Sequence, residues 1–329
     1  MTRTESTVCT PLEGAPVARG WRGTVGALIE TTKPGITRLV TITAGVGLGM
    51  ALAERWAAGD RNWQALDIAR IVAGCLLGTA LSAGGSNALN QWWERGRDAL
   101  MPRTERRPLP SGRLAPRQVL GAGLVLTALG VLVLGLSTGV APALVALVCA
   151  LVYVLVYTPM KAQTWLATLV GAVPGALPPL IGWSAGSPGL GLASLVGPGG
   201  LSLFALMFVW QLPHFLAIAW MYRDDYAAGG CPVLPVVDRS GRATAFAVAV
   251  STTALIPATL APRFAMPGVL GWVYLCTALF TGLAFAILAA RLVIQRDRAS
   301  ARTTFFASII HLPLLLMVMT VEAFVRAAS

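Results

Sequence analysis

Long apolar runs follow one another along this 329-residue chain, separated by shorter polar segments rich in proline and arginine. Runs without Asp, Glu, Lys or Arg include residues 119–156, 164–183 and 201–220. A helix needs about 20 apolar residues to cross a hydrocarbon core of about 30 Å, so the first run is long enough for two crossings. A helix of a soluble core is shorter and carries a polar stripe. The pattern therefore predicts an all-α membrane protein.

Prolines, glycines and charges divide the apolar pattern into nine predicted transmembrane helices. These spans are 34–53, 71–92, 119–136, 141–157, 165–182, 201–221, 243–260, 269–294 and 305–325. Residues 1–32 are polar and lack the apolar core of a signal peptide, so we expect a flexible N-terminal tail. Residues 33–329 then form one nine-helix domain.

The charges are few and unevenly placed. Only 12% of the residues are charged, against 56% that are hydrophobic, and the net charge is +11. Nucleic acid is not an expected partner, because the basic residues are dispersed between apolar runs rather than gathered on a soluble module. Lysine and arginine collect in alternate loops, and basic loops lie on the inner side of a membrane. The distribution predicts an N-terminus on the cytoplasmic or matrix side, with membrane lipid around the helices.

The second predicted span ends in a row of polar side chains. Asn90, Glu94 and Asp98 are four residues apart, so each is rotated only about 40° from the last and all share one helix face. Carboxylates at a membrane boundary are costly unless they are paired. Mg²⁺ is a suitable partner, because it prefers oxygen ligands and bridges carboxylates to substrate phosphates. The alternative is a helix end that lipid headgroups solvate.

An arginine-rich loop follows directly, and it includes Arg103 and Arg107 among several prolines. Guanidinium groups bind phosphate oxygens through paired hydrogen bonds. An acidic helix end beside such a loop is able to hold a metal-bound diphosphate. The alternative is that these arginines only anchor the loop at the inner membrane face.

A second acidic segment closes the sixth predicted span, where Arg223 precedes Asp224 and Asp225. The predicted topology places this segment on the same membrane side as Asp98, and Lys161 reaches that side at the end of the fourth span. Two acidic clusters that face each other across a bundle are able to hold metal ions on one diphosphate. Several converging charges make simple headgroup solvation a weaker explanation.

The chain has two histidines, His214 in the sixth predicted span and His311 in the ninth. Imidazole is a common ligand of haem iron, which makes both residues candidates for binding haem. The alternative is that each imidazole hydrogen-bonds a neighbouring backbone carbonyl, as polar groups inside membranes often do.

At these residues the sequence resembles the protohaem IX farnesyltransferases, or haem O synthases, of the UbiA-type intramembrane prenyltransferase superfamily. The resemblance rests on Lys33-Pro-Gly, the acidic motif, the Arg-Thr-Glu-Arg-Arg-Pro-Leu-Pro run from Arg103, Pro-His-Phe around His214, and Asp-Tyr-Ala-Ala-Gly from Asp225. It implies about nine helices around a central cavity in the bacterial plasma (inner) membrane or the mitochondrial inner membrane. It also implies farnesyl diphosphate as donor, haem B as acceptor, and a link to haem A synthase or to assembly of a haem-copper oxidase.

The residues and the resemblance together give a hypothesis for the reaction. Asn90, Glu94, Asp98 and Asp225 form the catalytic group, and the last three of these bind Mg²⁺. Arg103, Arg107, Lys161 and Arg223 bind the diphosphate and neutralise the charge that develops on departing pyrophosphate. A farnesyl cation then reacts with a vinyl group of haem.

Two other functions remain open from the sequence. One is a related prenyltransferase with a quinone or chlorophyll-type acceptor, which needs neither histidine. The other is a secondary transporter, which should show inverted repeats and polar groups near the membrane midplane. The charges of this chain instead gather near one face, and no repeat is evident.

Overall fold

The computed structural model describes residues 20–60 and 63–329, and within these ranges the regular structure is helical, with no strand. Residues 1–19 of the predicted tail lie outside the described residues, as does Arg61, while the tail's last part is helix α1. The helices are α1 (Gly20–Thr31), α2 (Pro34–Ala57), α3 (Ala65–Asp98), α4 (Pro116–Thr138), α5 (Val140–Met160), α6 (Ala167–Ala185), α7 (Pro198–Met221), α8 (Arg223–Ala228), α9 (Leu234–Val237), α10 (Arg242–Ala265), α11 (Trp272–Gln295) and α12 (Arg298–Ala328).

Each predicted span corresponds to one of nine long helices in the described part of the chain, namely α2 to α7 and α10 to α12. Eight of them have the length and hydropathy of a membrane span. The ninth, α6, is shorter and contains Pro174, Pro178 and Pro179. It is buried along most of its length, because α2, α5 and α7 pack around it. Prolines are tolerated in such a helix because neighbouring helices supply new partners for the freed backbone groups.

Large apolar side chains remain exposed on the outer faces of the bundle. Leu136 on α4 is 76% exposed, and Phe280 and Ile294 on α11 are each 75% exposed. Exposed apolar surface on this scale is unusual for a monomer in water. Lipid contact accounts for it, so the chain is an integral, multi-pass membrane protein.

Small residues allow the central helices to pack closely. A Cβ atom on Gly182 of α6 would overlap the backbone carbonyl of Ala44 on α2. A Cβ on Gly130 of α4 would likewise overlap the backbone of Ser82 on α3. Small residues at such crossings are typical of membrane helices, where van der Waals packing drives association. These crossings fix the position of α3, whose C-terminal end carries the acidic motif.

Four chain segments meet at one end of the bundle. The start of α2 contacts the end of α3 through a hydrogen bond between Lys33 and Asn90. The residue after α5, Lys161, contacts Glu94 on α3. Tyr226 of α8 lies beside Lys161. The loop after α3 and the segment after α7 therefore share this end, as the alternation of basic loops predicts.

Helix α5 departs from regular α-helical geometry just before this end. Residues Val152–Tyr157 form a π-helical turn, in which the rings of Tyr153 and Tyr157 stack with centroids 5.5 Å apart. The hydroxyl of Thr158 donates a hydrogen bond to the carbonyl of Tyr153, at 2.7 Å. Single π-helical turns occur frequently at functional sites. This one lies directly beside the acidic end of α3.

Candidate active site at one end of the bundle

The acidic motif of α3 is buried and faces the interior of the bundle. Asn90, Glu94 and Asp98 are 2%, 4% and 1% exposed. Their spacing of four residues places them on one face, as predicted, and the face is covered by α5 and by the loops at this end. Carboxylates are rarely buried unless they are paired, so each of these should have a cationic partner. Their burial does not fit the alternative of a helix end that lipid headgroups solvate.

Both carboxylates form ion pairs with basic residues of the predicted diphosphate group. Arg107 Nη1 lies 2.8 Å from Asp98 Oδ1 and 2.7 Å from Asp98 Oδ2. Lys161 Nζ lies 3.0 Å from Glu94 Oε1 and 3.3 Å from Glu94 Oε2. Burial alone would lower the pKa of Lys161. The neighbouring Tyr157 and Glu94 have the larger combined effect, so the pKa of this lysine is raised. Four predicted site residues therefore form one buried charged cluster.

Lys33 joins this cluster, although the sequence hypothesis gave it no role in the site. Its Nζ atom donates a hydrogen bond to Asn90 Oδ1 at 2.7 Å. The amide of Asn90 in turn donates to the hydroxyl of Thr158, at 3.1 Å. Burial and, next, the positive charge of Arg107 lower the pKa of Lys33 to about 7. The chain from Lys33 through Asn90 to Thr158 connects the start of α2 with α3 and α5.

Arg103 and Lys161 connect the cluster to the second acidic segment through aromatic rings. The guanidinium of Arg103 lies 5.3 Å from the ring centroid of Tyr222 and 5.8 Å from that of Tyr226. Lys161 Nζ lies 6.0 Å from the Tyr226 centroid. Cations are attracted to aromatic faces over such distances. Tyr226 thus lies between two of the predicted diphosphate ligands.

Asp225 lies in the short helix α8 and is partly buried. Its carbonyl accepts a hydrogen bond from the backbone of Gly229, which packs against Met101 in the loop after Asp98. Arg223 and Asp224, by contrast, are exposed, and their side chains approach each other at 3.7 Å. The structure brings the segment of Asp225 to the cluster and leaves Arg223 outside it.

The predicted three-carboxylate metal site is not assembled in the described ranges. Among residues 20–60 and 63–329, no three His, Cys, Asp or Glu side chains gather closely enough to hold a metal ion. Glu94 and Asp98 are instead held by Lys161 and Arg107. The joint role of Glu94, Asp98 and Asp225 stays a prediction.

His214 lies at the interface of α7 and α12. Its Nδ1 atom is 2.7 Å from the hydroxyl of Ser308, whose carbonyl accepts a hydrogen bond from Trp210. The imidazole stacks on Trp210, with centroids 5.0 Å apart, and on Phe305, at 5.2 Å. The second ring nitrogen, Nε2, is not part of this hydrogen bond.

His311 follows Ser308 by one helical turn and is 2% exposed. Its ring centroid is 5.6 Å from that of Phe285 on α11. Neither ring nitrogen has a hydrogen-bond partner of normal geometry in the described part of the chain, although the backbone of Thr281 is close enough to interact with the ring. The role of both histidines toward haem stays a prediction.

Lys33, Thr158 and Tyr226 are the residues at this site that sequence reasoning did not assign. Besides the Lys33-Pro-Gly motif of the resemblance, two further signals were available for Lys33. It is one of only two lysines among 25 basic residues, and the other is Lys161. It also directly precedes the first span. Tyr226 lies in the Asp-Tyr-Ala-Ala-Gly string that carries the resemblance. The contacts of Tyr226 and Thr158, however, join distant segments that no local pattern connects.

This arrangement defines an integral membrane protein with a buried, mixed-charge site at one end of a helical bundle. The sequence pattern of the UbiA prenyltransferase family matches residues 39–310. The chain belongs to the UbiA prenyltransferase family.

Two curated relatives of this chain from different bacteria carry the same name. It is 41% identical over 296 residues to the protoheme IX farnesyltransferase of Solibacter usitatus, covering 89% of this chain and 97% of the relative. It is also 41% identical over 286 residues to the protoheme IX farnesyltransferase of Myxococcus xanthus, covering 87% and 90%. The chain therefore spans nearly the full length of both relatives.

Solved structures share the fold at low sequence identity. A digeranylgeranylglyceryl phosphate synthase structure aligns with a TM-score of 0.71 and 15% identity, over 92% of this chain and 99% of the other. A UbiA homologue from Archaeoglobus fulgidus bound to GPP and Mg²⁺ aligns with a TM-score of 0.55 and 14% identity, over 89% and 99%. These likenesses confirm the all-helical membrane fold.

Proposed function

We propose that this protein transfers the farnesyl group of farnesyl diphosphate to a vinyl group of protohaem IX (haem B), making haem O and releasing pyrophosphate. The observation that carries the proposal is the buried cluster in which Lys161 and Arg107 pair with Glu94 and Asp98. Such a cluster suits a ligand that brings both negative charge and a metal ion. Near-full-length similarity to relatives named protoheme IX farnesyltransferase supports the choice of donor and acceptor.

The residues at the site fit Mg²⁺. This ion usually binds one or two protein carboxylates and takes its other ligands from substrate phosphate and water. Glu94 and Asp98 supply two buried carboxylates on one helix face, and Asp225 is the third candidate ligand. When bound, Mg²⁺ would stabilise negative charge on the phosphate oxygens.

The cations of the cluster bind and neutralise the diphosphate. Arg107 and Lys161 lie beside the carboxylates, and Arg103 lies between the two acidic segments over Tyr226. Electrostatic stabilisation of developing charge is usually the largest catalytic contribution. Arg223, which is exposed and close to Asp224, has the weakest structural support of the proposed diphosphate ligands.

The farnesyl carbon–oxygen bond breaks with its electron pair leaving on pyrophosphate. The π electrons of the haem vinyl group then form the new carbon–carbon bond, and water adds to the resulting cation and loses a proton. The product carries a hydroxyethylfarnesyl side chain. The stacked rings of Tyr153 and Tyr157 lie beside the cluster, where aromatic faces stabilise a passing cation and exclude water.

His214 and His311 are the candidates for holding the haem. Both approach the interface of α7 with α11 and α12, one through Ser308 and the other beside Phe285. The buried imidazole of His311 lacks a normal hydrogen-bond partner in the described ranges, as a ligand awaiting its metal would. Replacing His214 or His311 with Phe should weaken the haem absorbance of the purified protein, and an unchanged spectrum would remove that residue from the haem site.

Membranes that contain the protein, incubated with haem B and farnesyl diphosphate, test the proposal. We expect a haem product heavier by one farnesyl group and one hydroxyl group (C15H26O in total), formed only with Mg²⁺ and identified by mass spectrometry. Asp98→Ala and Asp225→Ala should abolish it, while Asp224→Ala, a neighbouring carboxylate that is 97% exposed, should not. Farnesylation of a quinone or chlorophyll-type acceptor instead of haem would overturn the proposed acceptor.

The cellular setting is part of the same proposal. The bacterial relatives and the positive-inside pattern support the bacterial plasma membrane, or the mitochondrial inner membrane, with the N-terminus on the cytoplasmic or matrix side. Haem O would then pass to a haem A synthase or to a haem-copper oxidase under assembly.

A further inference from the structure

The positive charge of the cluster exceeds its negative charge. Arg107 and Lys161 each have a carboxylate partner, but Lys33 donates its hydrogen bond to the neutral amide of Asn90. A partly buried ammonium group that faces a neutral partner is poorly compensated. The site therefore lacks one anion, and Lys33 marks where that anion is missing.

Amide side chains of α3 hold the turn that carries Lys33. Asn87 Nδ2 donates to the carbonyl of Thr32 at 3.3 Å, and Gln91 Nε2 donates to the carbonyl of Thr31 at 3.0 Å. Asn87 and Gln91 flank Asn90 on the same helix. The turn between α1 and α2 is thus attached to the helix that carries the acidic motif, and the attachment fixes the distance from Lys33 to the cluster.

The backbone of Lys33 is also unusual. Its φ of 49° places it in the left-handed region, which few residues other than glycine adopt. Such strained conformations persist only where the surroundings enforce them, and they are concentrated at active sites and ligand clamps. A flexible surface lysine needs no such conformation.

We propose that Lys33 is a further diphosphate-binding residue, whose ammonium group meets the phosphate oxygens that Arg107 and Lys161 do not reach. This inference rests on the proposed function and adds to it a binding residue at the start of α2. When the diphosphate binds, the Nζ atom of Lys33 donates a hydrogen bond to a phosphate oxygen, either in place of its bond to the Asn90 oxygen or in addition to it. Charge-assisted hydrogen bonds of this kind are stronger than bonds to a neutral amide.

Calorimetric titration of the purified full-length protein in lipid nanodiscs tests the role, with magnesium pyrophosphate as the probe. Lys33→Met should weaken binding about 10- to 100-fold, the usual effect of losing a hydrogen bond between charged groups. Lys33→Arg, which keeps the charge, should retain most of the affinity. Arg117→Met, which removes the same charge from an exposed position at the start of α4, should bind like the unchanged protein.

A second measurement needs no folded Lys33→Met variant. The chain has two lysines, so labelling lysine with ¹⁵N gives two side-chain nitrogen signals, and Lys33→Arg identifies one of them by its loss. Magnesium pyrophosphate should shift the Lys33 signal as well as that of Lys161. A Lys33 signal that stays in place, or equal affinity of the Lys33→Met and unchanged proteins, would refute the role of Lys33 alone. Absence of pyrophosphate binding to the unchanged protein would overturn the proposed function too.

Discussion

Replacing Lys161 with Met should make the protein bind a divalent cation more tightly when no diphosphate is present. In the structure, Lys161 occupies both oxygens of Glu94, at 3.0 and 3.3 Å. A metal ion that uses Glu94 must first displace this ammonium group. We therefore expect metal and diphosphate to bind together, because the diphosphate gives Lys161 a new partner as the metal takes its old one.

The size of the effect follows from the geometry. The side chains of Lys161 and Glu94 are 17% and 5% exposed, so solvent screens their attraction only weakly. Hydrogen bonds to charged groups contribute about 1.5–3 kcal/mol, which corresponds to roughly 10- to 150-fold in affinity. Lys161→Met should raise affinity for the free metal by a factor in this range. The same variant should bind magnesium pyrophosphate more weakly, since one phosphate contact is lost.

The affinity for free metal is measured by electron paramagnetic resonance of free Mn²⁺, with the protein in nanodiscs. The double variant Lys161→Met/Glu94→Gln is the matched control, because it removes the carboxylate that the single variant exposes, and it should lose the gain. Arg117→Met should leave Mn²⁺ affinity unchanged. If folded Lys161→Met protein binds Mn²⁺ no more tightly than the unchanged protein, Lys161 does not compete with the metal for Glu94, and the prediction is refuted.

Three further predictions use other parts of the structure. Gly182→Ala places a methyl group against the carbonyl of Ala44, so it should lower the melting temperature, and an unchanged value in a thermal scan would contradict the packing. Asp98→Asn should abolish farnesyl transfer while the protein still inserts in membranes, as assayed by product mass. Lys33, whose pKa is about 7 in the free protein, is mostly neutral at pH 8, so binding pyrophosphate there should take up a proton. Calorimetry in buffers of different ionisation enthalpy should show this proton uptake at pH 8. The uptake should disappear in Lys33→Arg, and also at pH 6, where Lys33 is already mostly protonated before the ligand binds.

The helices of this fold could be predicted because the membrane imposes a length and a composition on each one. All nine predicted spans correspond to long helices, and the spacing of Asn90, Glu94 and Asp98 correctly placed them on one face. Helix α6 was predicted from its apolar run, but its central, buried position depends on contacts with α2, α5 and α7 that no local pattern encodes.

The partners within the site could not be predicted from the sequence. Lys161 is separated from Glu94 by 67 positions, and Lys33 from Asn90 by 57. The sequence indicated that charges converge at one membrane side, but it did not indicate that Glu94 and Asp98 would already be paired with Lys161 and Arg107. Such pairing depends on side-chain reach after the helices have packed.

The opposite end of the bundle shows that burial of the paired carboxylates, rather than the number of basic residues, distinguishes the site: the side chain of Asp60 is 42% exposed, against 1% for Asp98. There Arg55 pairs with Asp60, lies 3.6 Å from the ring centroid of Trp63, and donates to the carbonyl of Gly186 at 3.1 Å. The guanidinium of Arg55 thus has partners for its charge and its hydrogen bonds within the protein.

The positive-inside rule accounts for many arginines at the other end, but only as exposed anchors. It gives no reason to pair Arg107 and Lys161 with two buried carboxylates, or to leave Lys33 against a neutral amide, since burying charge near hydrocarbon is costly. A polyanionic ligand that arrives with a cation supplies that reason, because it provides the missing negative charge and frees the carboxylates to bind the metal.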